Sequence, residues 1–131
     1  LRADIIRPAF PKASMERLLR ATVNTWHGLL AAARSEEAFR QELVALLVAV
    51  PLAFLLSDSG WKRLALIGAV VFVLVVELLN TAIEKLADRV NLAIDPQIGR
   101  VKDMGSAAVG LALLLAAAAW LLALAERLGL I

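Results

Sequence analysis

Residues 71–88 read VFVLVVELLNTAIEKLAD, an apolar run fit to enter a bilayer that nevertheless carries Glu77, Asn80, Glu84 and Asp88. Their spacings of three, four and four residues put all four on one narrow stripe of an α-helix, at ~100° per residue. The positions around Glu77 are Val, Leu, Ile and Ala, so the rest of the helix can face lipid or protein. A carboxylate at bilayer depth is costly unless it is paired, protonated or turned towards a wet cavity. One reading is a polar stripe that only holds helices together. The other is the wall of a functional site, and four polar residues in register describe a wall better than one does.

The rest of the composition limits the fold to an all-α membrane protein. The chain has 131 residues, the size of one domain, and is 61% hydrophobic but only 5% aromatic. It has no Cys, which excludes disulfides, thiolate metal sites and Cys nucleophiles. A single His argues against a His-based metal centre, and a net charge of +2 against nucleic-acid binding.

In chain order, Leu1 to Pro11 reads as a loose tail without the pattern of a signal peptide. A helix over 13–34 is amphipathic: Leu18, Leu19, Thr22, Val23, Trp26, Leu29, Leu30 and Ala33 fall within an arc of about 140°. Arg17, Arg20, Asn24, His27 and Arg34 lie opposite, which suits a helix lying in the membrane interface. Ser35 is placed to cap the next helix, with Glu36 and Glu37 in its first turn, and Glu36 stands four residues from Arg40. Three spans follow, over about 36–56, 61–89 and 99–127. Pro51 should kink the first, SDSG at 57–60 turns the chain, and Trp61 anchors the second. NLAIDP at 91–96 breaks that rod, and Asp95-Pro96 suits an N-cap and first helical position. Residues 13–131 thus form a single membrane-embedded domain behind the tail.

Seven Lys and Arg precede the first span and two, Lys62 and Arg63, follow it. Four lie between spans two and three, and Arg127 is at the end. The bias predicts a cytoplasmic N-terminus and second loop, with the first turn and C-terminus outside. Three charged clusters then share one membrane face: Glu36 to Glu42, Glu77 to Asp88, and Arg100 to Asp103. Glu36, Glu84 and Asp88 are hard oxygen donors of the kind Mg²⁺ uses with nucleotide phosphates. Lys102 and Arg17 are candidate phosphate partners. Glu77, about two turns deeper than Glu84, is placed to take a proton from a lipid hydroxyl. These parts describe phosphoryl transfer from a nucleotide to a lipid alcohol, without a P-loop or a Gly-rich kinase loop.

Three segments carry a resemblance: EAFRQE (37–42), VELLNTAIE (76–84) followed by Asp88-Arg89, and GRVKDMGSAAV (99–109). From about Arg17 to Trp120 the chain resembles the prokaryotic integral-membrane diacylglycerol kinases. The resemblance implies a homotrimeric bundle, each subunit bringing a surface helix and three transmembrane helices. It also implies MgATP-dependent phosphorylation of 1,2-diacylglycerol to phosphatidate at the cytoplasmic face of the inner membrane. By the same resemblance Glu77 is the base and Asn80 its motif neighbour, while Glu36 and Glu84 hold the metal. Arg17, Asn24, Glu36, Glu84, Asp88, Lys102 and Asp103 belong with the nucleotide, although Asn24 stands where Tyr is expected. Ala38, Arg40, Glu42, Ser106 and Trp120 line the lipid site with Glu77. Two departures are visible: NLAIDPQI lacks the glycine and the acidic, His-containing run expected before Gly99, and His27 replaces an expected Lys.

Two other readings stand beside this one. Undecaprenol kinases share the fold and chemistry but tend to read KDxAAGAV in the third motif, where this chain reads KDMGSAAV. A non-enzymatic oligomeric membrane protein would explain an intramembrane Glu77 but not a Lys-Asp pair gathered with further carboxylates.

Overall fold

The computed structural model describes residues 12–90 and 95–131. All secondary structure among them is helical: α1 (Lys12–Ser35), α2 (Glu37–Leu56), α3 (Gly60–Val90) and α4 (Pro96–Arg127). The tail expected for Leu1 to Pro11, and the nucleotide contacts and helix break expected around 91–94, lie outside the described residues. The chain forms two compact units, residues 1–35 and 36–131.

The described part of the first unit is α1. Thr22 and Thr25 donate their hydroxyls to the carbonyls of Leu18 and Ala21, four residues back, so these polar groups are satisfied inside the helix. Leu18, Leu19, Val23 and Trp26 remain exposed, an apolar face suited to a lipid interface. Ser35 does not cap α2. It is the last residue of α1, and its hydroxyl donates to the Ala31 carbonyl instead. Glu36 takes the N-cap position with extended backbone (φ −111°, ψ 119°), and its side chain makes no capping bond.

In the second unit, α2, α3 and α4 are each long and apolar enough to cross a membrane. The 20 residues of α2 span about 30 Å, roughly one hydrocarbon core. α2 runs unbroken through Pro51. α3 has 31 residues, so its last turns carry the polar stripe out of the apolar layer. Ser57 to Ser59 reverse the chain between α2 and α3, held by Arg63 Nε donating to the Ser57 carbonyl at 2.8 Å. Arg63 also lies over the Phe54 ring at 4.3 Å. α4 begins at Pro96 because Asp95 accepts a hydrogen bond from the Gln97 amide and Pro96 occupies a position whose N–H would have no partner.

α3 is the central helix and packs on both neighbours, while α2 and α4 barely touch each other. The buried positions of α2 and α4 are mostly small (Ala49, Ala53, Gly105, Ala112, Ala123), which lets the helix axes approach closely. α3 supplies the larger Leu66, Val73 and Leu74. At the turn end, Ala53, Leu66 and Ala123 form a core cluster with Leu56, Ile67, Ala119 and Trp120. Lys62 at the start of α3 pairs there with Glu126 at the end of α4, as two antiparallel helices allow. Leu47, Leu111 and Leu114 point outward and exposed, as a lipid-facing surface requires.

Candidate active site

The polar stripe of α3 faces its neighbours. Glu77 and Asn80 are each only 9% exposed, and Glu84, one turn on, is half-buried. Asn80 Nδ2 donates to Glu84 Oε1 at 3.2 Å, an i to i+4 bond that holds the Glu84 carboxylate. Asn80 Oδ1 is buried without a hydrogen-bond partner and rests against Gly105 of α4. Gly105 is the only residue type that permits this approach, because any β-carbon would fall on the amide oxygen.

The head of α2 completes the cluster. Glu42 is half-buried and lies within electrostatic reach of Glu77, which in turn feels the charges of Glu84 and Glu36. Glu42 Oε2 is buried and has no hydrogen-bond partner. A buried carboxylate oxygen in that state favours a donor such as a hydroxyl arriving beside it. Glu36 Oε1 stands 2.7 Å from Lys85 Nζ. At the water end of the stripe, Lys102 donates to Asp88 Oδ1 at 3.0 Å across α3 and α4.

The second unit therefore brings together Glu36, Glu42, Glu77, Asn80 and Glu84, with the Asp88–Lys102 pair beside them. Asp103 and Ser106 are exposed on the same stretch of α4, and Ala38 and Arg40 are exposed on the first turns of α2. Phe39, between those two, is almost completely buried and pins that turn. Arg17 and Asn24 are exposed on α1, in the other unit. Trp120 is apart from the carboxylates, about 21 Å along α4 from Ser106. Its indole donates to the Leu66 carbonyl at 3.1 Å. An apolar groove lies beside Trp120. It is lined by Ala45, Val48, Ala49, Leu52, Val70 and Trp120. Ala45 and Ala49 follow Glu42 at helical spacing, so the groove starts one turn from that carboxylate.

Two contributors escaped the sequence reading. Lys85 lies beside the polar stripe and not on it, and Gly105 reads as a packing glycine until its contact with Asn80 is seen. The adjacency of Lys85 to Glu84 was the one available signal for the first.

The family model "Prokaryotic diacylglycerol kinase" matches residues 23–124. The diacylglycerol kinase of Escherichia coli strain K12 is 43% identical over 113 residues, which cover 86% of this chain and 93% of that protein. That of Pseudomonas aeruginosa is 43% identical over 109 residues, 83% of this chain and 89% of its own length. That of Haemophilus influenzae is 32% identical over 111 residues, 85% and 94% respectively.

Proposed function

The chain belongs to the prokaryotic diacylglycerol kinase family, and from that premise we propose that it moves the γ-phosphate of MgATP onto the free hydroxyl of 1,2-diacylglycerol, giving phosphatidate and ADP. The observation that carries the residue assignment is the burial of Glu77 beside Asn80, Glu84 and the unpartnered Glu42 oxygen, with an apolar groove beginning one turn along α2 from Glu42. A diacylglycerol is amphipathic in the same sense. Its chains fit the groove that ends at Trp120, and its hydroxyl then reaches Glu77 and Glu42.

Glu77 takes the hydroxyl proton as the lipid oxygen bonds to the γ-phosphorus and the bond from that phosphorus to the bridging oxygen of ADP breaks. Burial excludes water that would compete as acceptor. Asn80 orients Glu84 through its amide N–H. Lys102 offers an ammonium to the phosphates once it leaves Asp88, and Asp88 and Asp103 contribute to the nucleotide site. Ala38, Arg40, Glu42 and Ser106 border the lipid headgroup.

Glu36 and Glu84 would hold Mg²⁺. Both carboxylates act on Glu77, and among the described residues no group of three or more His, Cys, Asp or Glu forms a metal cage. That donor set suits Mg²⁺, which takes one or two carboxylates and completes its shell with phosphates and water. Bound there, the ion supplies charge neutralisation to the phosphoryl group in transfer.

A homotrimer in the cytoplasmic membrane fits the same picture, with the N-terminus inside and the C-terminus outside. Three helices leave many large apolar side chains uncovered, and neighbouring copies would close the polar stripe away from lipid. The test is transfer of label from γ-labelled ATP with Mg²⁺ into mixed micelles, diacylglycerol and undecaprenol offered separately. Label in phosphatidate that vanishes in Glu77→Gln supports substrate and base together. Label in the polyprenol alone moves the substrate, and no label from folded protein overturns the proposal.

A further inference from the structure

Lys85 and Glu36 form an ion pair with three uncommon features. First, Glu36 sits at the N-cap of α2, where a side-chain acceptor ordinarily bonds the free amides of the first turn. Its side chain makes no such bond, and one carboxylate oxygen instead reaches α3. Second, the acceptor belongs to a crowd of like charges. Glu36 and Glu84 both act on Glu77, and Glu77 acts on Glu42. Such a group is unfavourable without a cation among it. Third, the pair is open to water, with 58% of the Lys85 side chain and 28% of the Glu36 side chain exposed. An exposed pair of this kind is weak and exchangeable.

We propose that Lys85 is an internal counter-ion that occupies Glu36 between turnovers and is displaced when the divalent cation binds. The inference rests on Glu36 being a metal ligand, as assigned above. It adds a competitor for that ligand, on a residue that the sequence motifs do not include. An ammonium is a compact point charge on a flexible stem, so it can release the carboxylate and turn to solvent without moving the helices. Lys85 is one residue from Glu84, about 100° around α3. It therefore reaches Glu36 from the flank of the stripe. Lys102 does not serve the same purpose, because its ammonium is held by Asp88 at the water end. The consequence is a site that keeps its carboxylates in place when empty and accepts the ion only against a resident positive charge. Affinity for the free ion is thereby lowered, and the ion arriving with nucleotide phosphates is favoured over the ion alone.

The experiment measures binding, with Mn²⁺ as the probe. The full chain in detergent micelles is titrated with Mn²⁺ alone, and with Mn²⁺ plus a non-hydrolysable ATP analogue, and free Mn²⁺ is read by electron paramagnetic resonance. Lys85→Met keeps the stem and removes the charge. It should tighten Mn²⁺ binding by roughly threefold to tenfold, with a smaller gain when the nucleotide analogue is present. Lys85→Arg should stay within about twofold of the parent. Glu36→Gln should weaken binding, and adding Lys85→Met to it should then bring little further change. If Lys85→Met leaves affinity unchanged or weakens it while Glu36→Gln still weakens it, the counter-ion proposal fails and the metal assignment stands. If Glu36→Gln has no effect, both fail. Lipid phosphorylation by the parent chain is measured separately and decides neither point.

Discussion

The amide oxygen of Asn80 fills the volume that a β-carbon on residue 105 would need. A β-carbon at Gly105 would overlap Oδ1 of Asn80 and crowd its Cγ. The α3–α4 contact and the orientation of Glu84 are therefore one feature, because the other end of the same amide donates to Glu84. Gly105→Ala should turn Asn80 away, costing about 1–3 kcal/mol of stability and up to about 100-fold in turnover. In an Asn80→Ala background the same substitution should cost much less. Thermal unfolding and the two-by-two set of turnover numbers check this.

Glu77→Gln keeps shape and burial but removes the proton acceptor. Turnover should fall by about 10²–10⁴-fold. The helical circular dichroism spectrum and ATP-analogue binding should stay close to those of the parent. A variant that keeps more than a tenth of the parent rate would remove Glu77 from the base role.

Lys102→Ala deletes the ammonium that Asp88 holds. The KM for ATP should rise by roughly tenfold, with a smaller effect on the KM for lipid. Steady-state kinetics with each substrate varied in turn separates the two.

Chelation should stop catalysis without unfolding the chain. Among the described residues no set of three or more metal-ligating side chains ties the helices together. Excess EDTA should therefore abolish label transfer, leave helix content and the unfolding midpoint unchanged, and be fully reversed by Mg²⁺. A large drop in the midpoint would mean that the ion is structural.

Trp120→Phe removes the indole N–H that donates to the Leu66 carbonyl while keeping most of the ring volume. Stability should fall by about 0.5–1.5 kcal/mol, in the range of a single hydrogen bond between membrane helices. Trp120→Ala should cost more, because it also empties one end of the apolar groove. Unfolding in mixed micelles with increasing denaturing detergent measures both.

What the sequence by itself determined is whatever depends on one helix at a time. Periodicity and hydropathy marked an amphipathic helix and three apolar ones. The three-four-four spacing put Glu77, Asn80, Glu84 and Asp88 on one stripe before any neighbour was known. Asp95 before Pro96 announced the start of α4, since a cap needs only local geometry. The motifs then carried the family, which the comparisons bear out. Ser35 shows the limit even for local signals. It has the chemistry of a cap, but α1 runs one residue further and takes its hydroxyl inward, so Glu36 holds the cap position. Only the tertiary structure decided that Lys85 reaches Glu36, that Asn80 needs a glycine opposite, and that the Trp120 indole bonds Leu66. Each of those contacts depends on how far one helix is slid and rotated against another. Small residues along α2 and α4 permit many such registers, and the one adopted follows from packing the three helices together, which no single segment encodes.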